Sequence, residues 1–138
     1  MASKENLVDE SQAPQKLERA GDAGFLWDFW YPAARSLQIR GRGLAKAMLL
    51  EVPLVLGRTD DGAAFALRDA CPHRGIPLSY GRFDGKSLEC SYHGWKFAGC
   101  SGQCVEIPSL THQDKLKVER IFAGHIRARS MTGTFGCT

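Results

Sequence analysis

Two cysteine–histidine pairs constrain this chain more than any other feature. Cys71 and His73 flank one residue, Cys90 and His93 flank two, and sixteen residues separate the pairs. Thiolates and neutral imidazoles are ligands for zinc, or for iron in an iron–sulfur cluster. Any fold that uses all four side chains must bring two loops side by side. Zinc fingers usually pair like ligands locally, Cys with Cys and His with His, whereas here each loop offers one of each. That favours a two-iron, two-sulfur cluster with mixed ligands, which each loop must straddle, over a structural zinc ion. Gly75 and Gly94 follow the histidines closely, where backbone must bend tightly, and Pro72 and Pro77 stiffen the first loop. These loop features fit either metal.

The remaining composition narrows the classes. A chain of 138 residues suits one domain with one core. A net charge of +3, with Lys and Arg scattered among acids, argues against a nucleic-acid partner. The most apolar run, Ala45–Gly57, is broken by Lys46, Glu51 and Pro53 and is too short for a membrane span. Met1–Glu10 lacks the apolar centre of a signal peptide. Five cysteines, two of them in Cys/His pairs, suit metal binding in a reducing compartment, so a cytoplasmic location is expected.

Short apolar runs broken by turn residues, without helical periodicity, predict an all-β antiparallel sandwich with two cluster-binding loops at one end. Residues 1–24 read as a disordered leader, with at most a short helix over Gln12–Ala20. Phe25–Tyr31 holds five aromatics in seven residues and predicts a first strand whose rings fill the core. Strands are expected at Gln38–Arg40, Met48–Leu50 and Leu54–Leu56, the last two separated by Pro53. Thr59-Asp60-Asp61-Gly62 marks a hairpin turn to Ala64–Leu67. Gly81, Asp84-Gly85 and Leu88 predict a hairpin between the ligand loops. Further strands are expected at Lys96-Phe97, Val105–Ile107 and Lys115–Ala123. Cys100 and Cys104 read as ordinary small side chains.

Cys71-Pro72-His73-Arg74-Gly75, Leu78-Ser79, Gly81 and Cys90-Ser91-Tyr92-His93-Gly94-Trp95-Lys96-Phe97 resemble the Rieske domain of Rieske non-haem iron oxygenases. The resemblance runs from about Phe29 to Ala123 and includes Gly102–Pro108, within a domain spanning 25–125. It implies that Cys71 and Cys90 hold one iron of a [2Fe–2S] cluster and His73 and His93 the other. It also implies a trimeric or larger oxygenase, with a reductase or ferredoxin as electron donor. The electron would pass to a mononuclear iron, in a catalytic domain of the same or a neighbouring subunit, that activates dioxygen. Respiratory-chain Rieske proteins carry an extra cysteine in each loop, where this chain has Ile76 and Tyr92. They also carry Ser and Tyr donors where it has Trp95 and Phe97, so a lower potential is expected here. His73 and His93 are expected at the surface, and Arg74 and Trp95 either line a docking face there or pack and stabilise the loops.

A mononuclear iron site needs two histidines and a carboxylate. Beyond the two pairs only His112 and His125 remain, without a convincing acidic partner. The resemblance places that iron in a C-terminal domain not found in this sequence, so the chain alone is expected to carry electrons without hydroxylating a substrate. Residues 126–138 read as an aberrant, disordered tail where family members close with a strand resembling Asp-Gly-x-Val-Trp-Val. Under one choice of codons, a single base inserted after the His125 codon restores such a strand, so a frameshifted or truncated gene product is expected. Two rival readings are a free-standing Rieske ferredoxin and a zinc-stabilised binding module.

Overall fold

The computed structural model describes residues 29–131 and 134–137. Its strands, in chain order, are β1 (Tyr31–Arg35), β2 (Ala45–Leu49), β3 (Val52–Arg58), β4 (Ala64–Arg68), β5 (Arg82–Phe83) and β6 (Ser87–Glu89). They continue with β7 (Lys96–Ala98), β8 (Cys104–Glu106), β9 (His125–Ile126), β10 (Ala128–Met131) and β11 (Thr134–Cys137). Among the described residues the only helical elements are 3-10 turns at Ser36–Gln38, Leu78–Tyr80 and Val118–Arg120. All strand pairs are antiparallel, in three sheets ordered β1-β11-β10, β2-β3-β4-β9 and β5-β6-β7-β8. The fold is all-β, as the turn-rich sequence predicts.

The β2-β3-β4-β9 sheet is the middle layer. Successive strand residues point to opposite faces, and both faces of β3 and β4 are covered. Val55, Phe65 and Leu67 pack toward the β5–β8 sheet, with Leu78, Phe83, Leu88 and Phe97. Leu54, Leu56 and Ala66 pack the other way, against Ala33, Ala34 and Ala128 of the β1-β11-β10 sheet. Burial on both faces explains why Leu54-Val55-Leu56 is uniformly apolar instead of alternating. Phe65 is fully buried and lies 5.1 Å from Phe83, ring centre to ring centre. It fits because Gly57, its cross-strand partner, has no side chain; a Cβ there would sit 2.3 Å from the ring.

Several expectations need correction. Of the aromatic opening, Phe29 and Trp30 do not fill the core: they are 57% and 41% exposed, and among the described residues pairing into a sheet begins with β1 at Tyr31. Arg129 lies over the Trp30 ring at 4.1 Å, so that ring packs under a guanidinium on the outer surface. The leader over 1–24, its Gln12–Ala20 helix and residues 25–28 fall outside the described residues. Gln38–Arg40 is no strand; a 3-10 turn ends at Gln38 and delivers Ile39 into the core at 1% exposure. Lys115–Ala123 holds a 3-10 turn and a single bridge between Phe122 and Gln103, leaving Leu116 and Phe122 half exposed. Its pairing is confined to the edge of β8, where the Cys104 N–H donates to the Ile121 carbonyl and the Ala123 N–H to the Gly102 carbonyl.

The expected disordered tail is also corrected. Ala128–Met131 and Thr134–Cys137 are strands, and β11 is the central strand of its sheet, paired with β1 on one side and β10 on the other. Ladder hydrogen bonds join backbone to backbone, so a segment lacking an apolar pattern can still pair.

The turn between β2 and β3 lies at Leu50-Glu51, ahead of Pro53, which is a strand residue opposite Met48. Leu50 and Glu51 both have positive φ, 48° and 65°, as a two-residue type I′ hairpin turn demands. Neither side chain suits that conformation, which costs a non-glycine residue about 1 kcal/mol or more. Replacing the pair by Asn-Gly (L50N/E51G) is predicted to stabilise the fold by about 1 kcal/mol, read as a higher urea midpoint at unchanged slope.

Candidate metal centre

The two candidate ligand loops are copies of one backbone design. In the first, the Cys71 N–H donates to the Ile76 carbonyl at 2.8 Å and the Gly75 N–H to the Cys71 carbonyl at 2.7 Å. In the second, the Cys90 N–H donates to the Trp95 carbonyl at 2.8 Å and the Gly94 N–H to the Cys90 carbonyl at 3.1 Å. Each loop closes through a glycine in the left-handed region, Gly75 at φ +74° and Gly94 at φ +73°. A side chain there would be strained, which is the physical reason for glycine four residues after each cysteine. The histidines break the copy: His73 is the second residue after its cysteine and His93 the third.

Despite that offset, the two imidazoles meet. Nδ1 of His73 and Nδ1 of His93 are 3.1 Å apart, and both side chains are exposed. The cysteines lie deeper, each 3% exposed within the core cluster that contains Phe65 and Phe97. Cys90 and the backbone N–H groups of His73 and Arg74 are the polar neighbours that act on the Cys71 thiol. Burial pushes the Cys71 thiol up to about 11, and Cys90 adds to the rise against the lowering effect of those N–H bonds. A buried thiol raised in this way gives up its proton readily only to a metal cation. Desolvation lowers the pKa of His73, and the positive charges of His93 and Arg74 lower it further. That shift favours the neutral, metal-binding form of the imidazole.

Aromatic rings fix the rim. Trp95 stacks on His73 with ring centres 4.4 Å apart and planes only 7° from parallel. Tyr92 leans on His93 at 3.9 Å and remains 58% exposed. Of the two residues expected at a docking face or in loop packing, Arg74 is exposed, while half-buried Trp95 serves first as a plate that holds the His73 ring. The four candidate donors are thus sorted by depth, two thiols inside and two imidazoles at the surface. Among the described residues, no three His, Cys, Asp or Glu side chains converge on one point that a single ion could occupy. A structural zinc ion needs four donors around one point, whereas a two-iron cluster needs two donors at each of two. The donor set fits the cluster.

The remaining candidates separate from this site. Cys100 is exposed on a turn and Cys104 is 2% exposed in the core, with burial raising its pKa. His112 and His125 are both exposed. Among the described residues, no helix is long and apolar enough to cross a membrane.

Residues 29–120 match the Rieske [2Fe-2S] domain family. The chain belongs to that family. Its relatives include the oxygenase subunit of 3-chlorobenzoate-3,4-dioxygenase from Comamonas testosteroni, 38% identical over 95 residues that cover 68% of this chain and 22% of that protein. The iron–sulfur subunit of the toluene-4-sulfonate monooxygenase system, also from Comamonas testosteroni, is 44% identical over 84 residues, covering 61% of this chain and 24% of that protein. Among solved structures, dicamba monooxygenase matches with a TM-score of 0.72 and 31% identity, over 83% of this chain and 35% of that one. The chain therefore spans only about a quarter to a third of these relatives' length, and the match is to their Rieske region.

Some of the Rieske domain's working parts were not evident in the sequence. Gly81 was read as a turn residue, yet its φ of −82° is open to any residue. Its role is steric: a Cβ at Gly81 would lie 1.8 Å from the carbonyl oxygen of Glu89, immediately before Cys90. The end of the first loop therefore rests against the base of the second. Gly81→Ala is predicted to destabilise the protein by more than about 2 kcal/mol through that overpacking. Thermal unfolding followed by circular dichroism checks it.

Proposed function

We propose that this Rieske domain binds its [2Fe–2S] cluster with Cys71 and Cys90 on one iron and His73 and His93 on the other. In this reading it carries single electrons as the N-terminal domain of an oxygenase. The observation that carries the ligand assignment is the sorting of donors into a buried thiol pair and a surface imidazole pair. When bound, the cluster supplies a one-electron store. The buried cysteines keep water from the sulfur side, and the exposed histidines offer a short path to a partner. Trp95 and Tyr92 hold the imidazoles in place at that surface.

The oxygenase role rests on relatives named as a dioxygenase subunit and as monooxygenases. It supplies the expected partners: a reductase or ferredoxin that delivers electrons, and a catalytic domain of the same or a neighbouring subunit that receives them. There a mononuclear non-haem iron would use dioxygen to hydroxylate or demethylate an organic substrate. Cysteines paired with histidines as metal donors support a reducing compartment, the cytoplasm.

Two predictions test this. Reconstituted with iron and sulfide, the chain should be red-brown and, once reduced, give the low-average-g paramagnetic resonance of a mixed-ligand cluster; a colourless protein retaining zinc contradicts the reading. Trp95 and the fully buried Phe97 carry no hydroxyl to donate toward the cluster. Its potential is therefore predicted near the bottom of the Rieske range, about −150 mV, well below the roughly +300 mV at the top. A redox titration decides that point.

A further inference from the structure

The two loops share a backbone design but are closed at their bases in different ways. The second joins β6 to β7 as a hairpin, and the ladder pair Glu89 and Lys96 shuts it immediately outside Cys90 and Trp95. The first connects β4 of the middle sheet to β5 of the ligand sheet, so no strand ladder joins its ends. A side chain stands in that place. Asp69, 9% exposed, accepts a hydrogen bond from the Ser79 N–H at 2.7 Å on one carboxylate oxygen, and one from the Ser79 hydroxyl at 2.7 Å on the other. Its own N–H donates to the Pro53 carbonyl at 2.8 Å, tying the closed loop to β3. Cys71–Pro77 is thus held as a ring whose clasp is Asp69 and Ser79.

From this geometry we infer that Asp69 and Ser79 are positioning residues that hold the Cys71–His73 loop in its metal-binding shape, and that the Asp69 carboxylate lowers the cluster's potential. The inference rests on the cluster reading above. The carboxylate that takes both Ser79 donors stands two residues before Cys71, so its charge is held at the base of the first loop. Negative charge in a poorly solvated place opposes the addition of an electron. Loss of the clasp lets the first loop open independently of the second, which its hairpin ladder still holds.

Three full-length variants test this after iron–sulfur reconstitution. Asp69→Asn keeps the size of the side chain and removes its charge. Ser79→Ala removes one donor and keeps the charge, and Ser79→Thr restores the hydroxyl. Iron release to a ferrous chelator should quicken about tenfold or more in Ser79→Ala and return toward the wild-type rate in Ser79→Thr. Asp69→Asn should raise the reduction equilibrium about three- to tenfold, which is about 30–60 mV at 59 mV per tenfold. Wild-type release in Ser79→Ala together with an unchanged potential in Asp69→Asn overturns the clasp. Lowered melting temperatures with release and potential unchanged also overturn it, since the contact is then merely structural. If Asp69→Asn does not fold, the Ser79 pair decides. A wild-type chain that takes up no cluster sinks the cluster reading and the clasp together, whereas a loaded wild type with unaltered variants sinks the clasp alone.

Discussion

The candidate metal centre depends on holding four donor side chains together, on one loop that joins two sheets and on another that is a hairpin within a single sheet. The chain solves this by building the same turn twice. A cysteine N–H and a left-handed glycine close each loop, so the backbone positions of Cys71 and Cys90 are fixed by hydrogen bonds before any metal contributes. The unequal cysteine-to-histidine spacing then lets the two imidazoles meet at the rim instead of occupying equivalent places in the two turns.

That arrangement needs a rigid floor, which the middle sheet supplies by being buried on both faces. Phe65 is the piece that transmits its rigidity. It is seated over Gly57 and Gly99, packs on Phe83, and belongs to the cluster that contains both cysteines. Truncating a buried phenylalanine costs about 3–5 kcal/mol, a large part of the roughly 5–15 kcal/mol that holds a domain together. Surface ion pairs such as Arg42–Asp60 and Arg82–Glu89 are exposed and contribute little by comparison. Loop placement is therefore governed by core packing and by backbone and side-chain hydrogen bonds at the loop bases.

Much of this was legible in the sequence, for physical reasons that differ by region. Cys71, His73, Cys90 and His93 stand out because their chemistry is rare and local spacing marks it. The β3–β4 hairpin is announced by Asp61-Gly62 and by the apolar runs on either side. The β2–β3 turn was misplaced because Leu50 and Glu51 carry no turn signature and are held at positive φ by the pairing of the strands around them. The aromatic run at Phe29-Trp30 suggested a core and lies on the surface, since ring content reports a preference for β structure without saying which face is covered. β10 and β11 were missed because their pairing is a property of backbone, and composition is silent about it. Asp69 and Ser79 were missed as a pair because no periodicity links side chains ten residues apart across a loop.

The central claim, that two irons are held by unlike donor pairs, is tested most directly by pulsed electron–nuclear double resonance on the reduced cluster, with histidine labelled in ¹⁵N. Two histidine nitrogens should couple to the cluster spin, with one coupling lost in His73→Ala and the other in His93→Ala if iron is retained. No histidine coupling in the loaded wild-type protein, or couplings unaffected by both substitutions, would contradict the assignment.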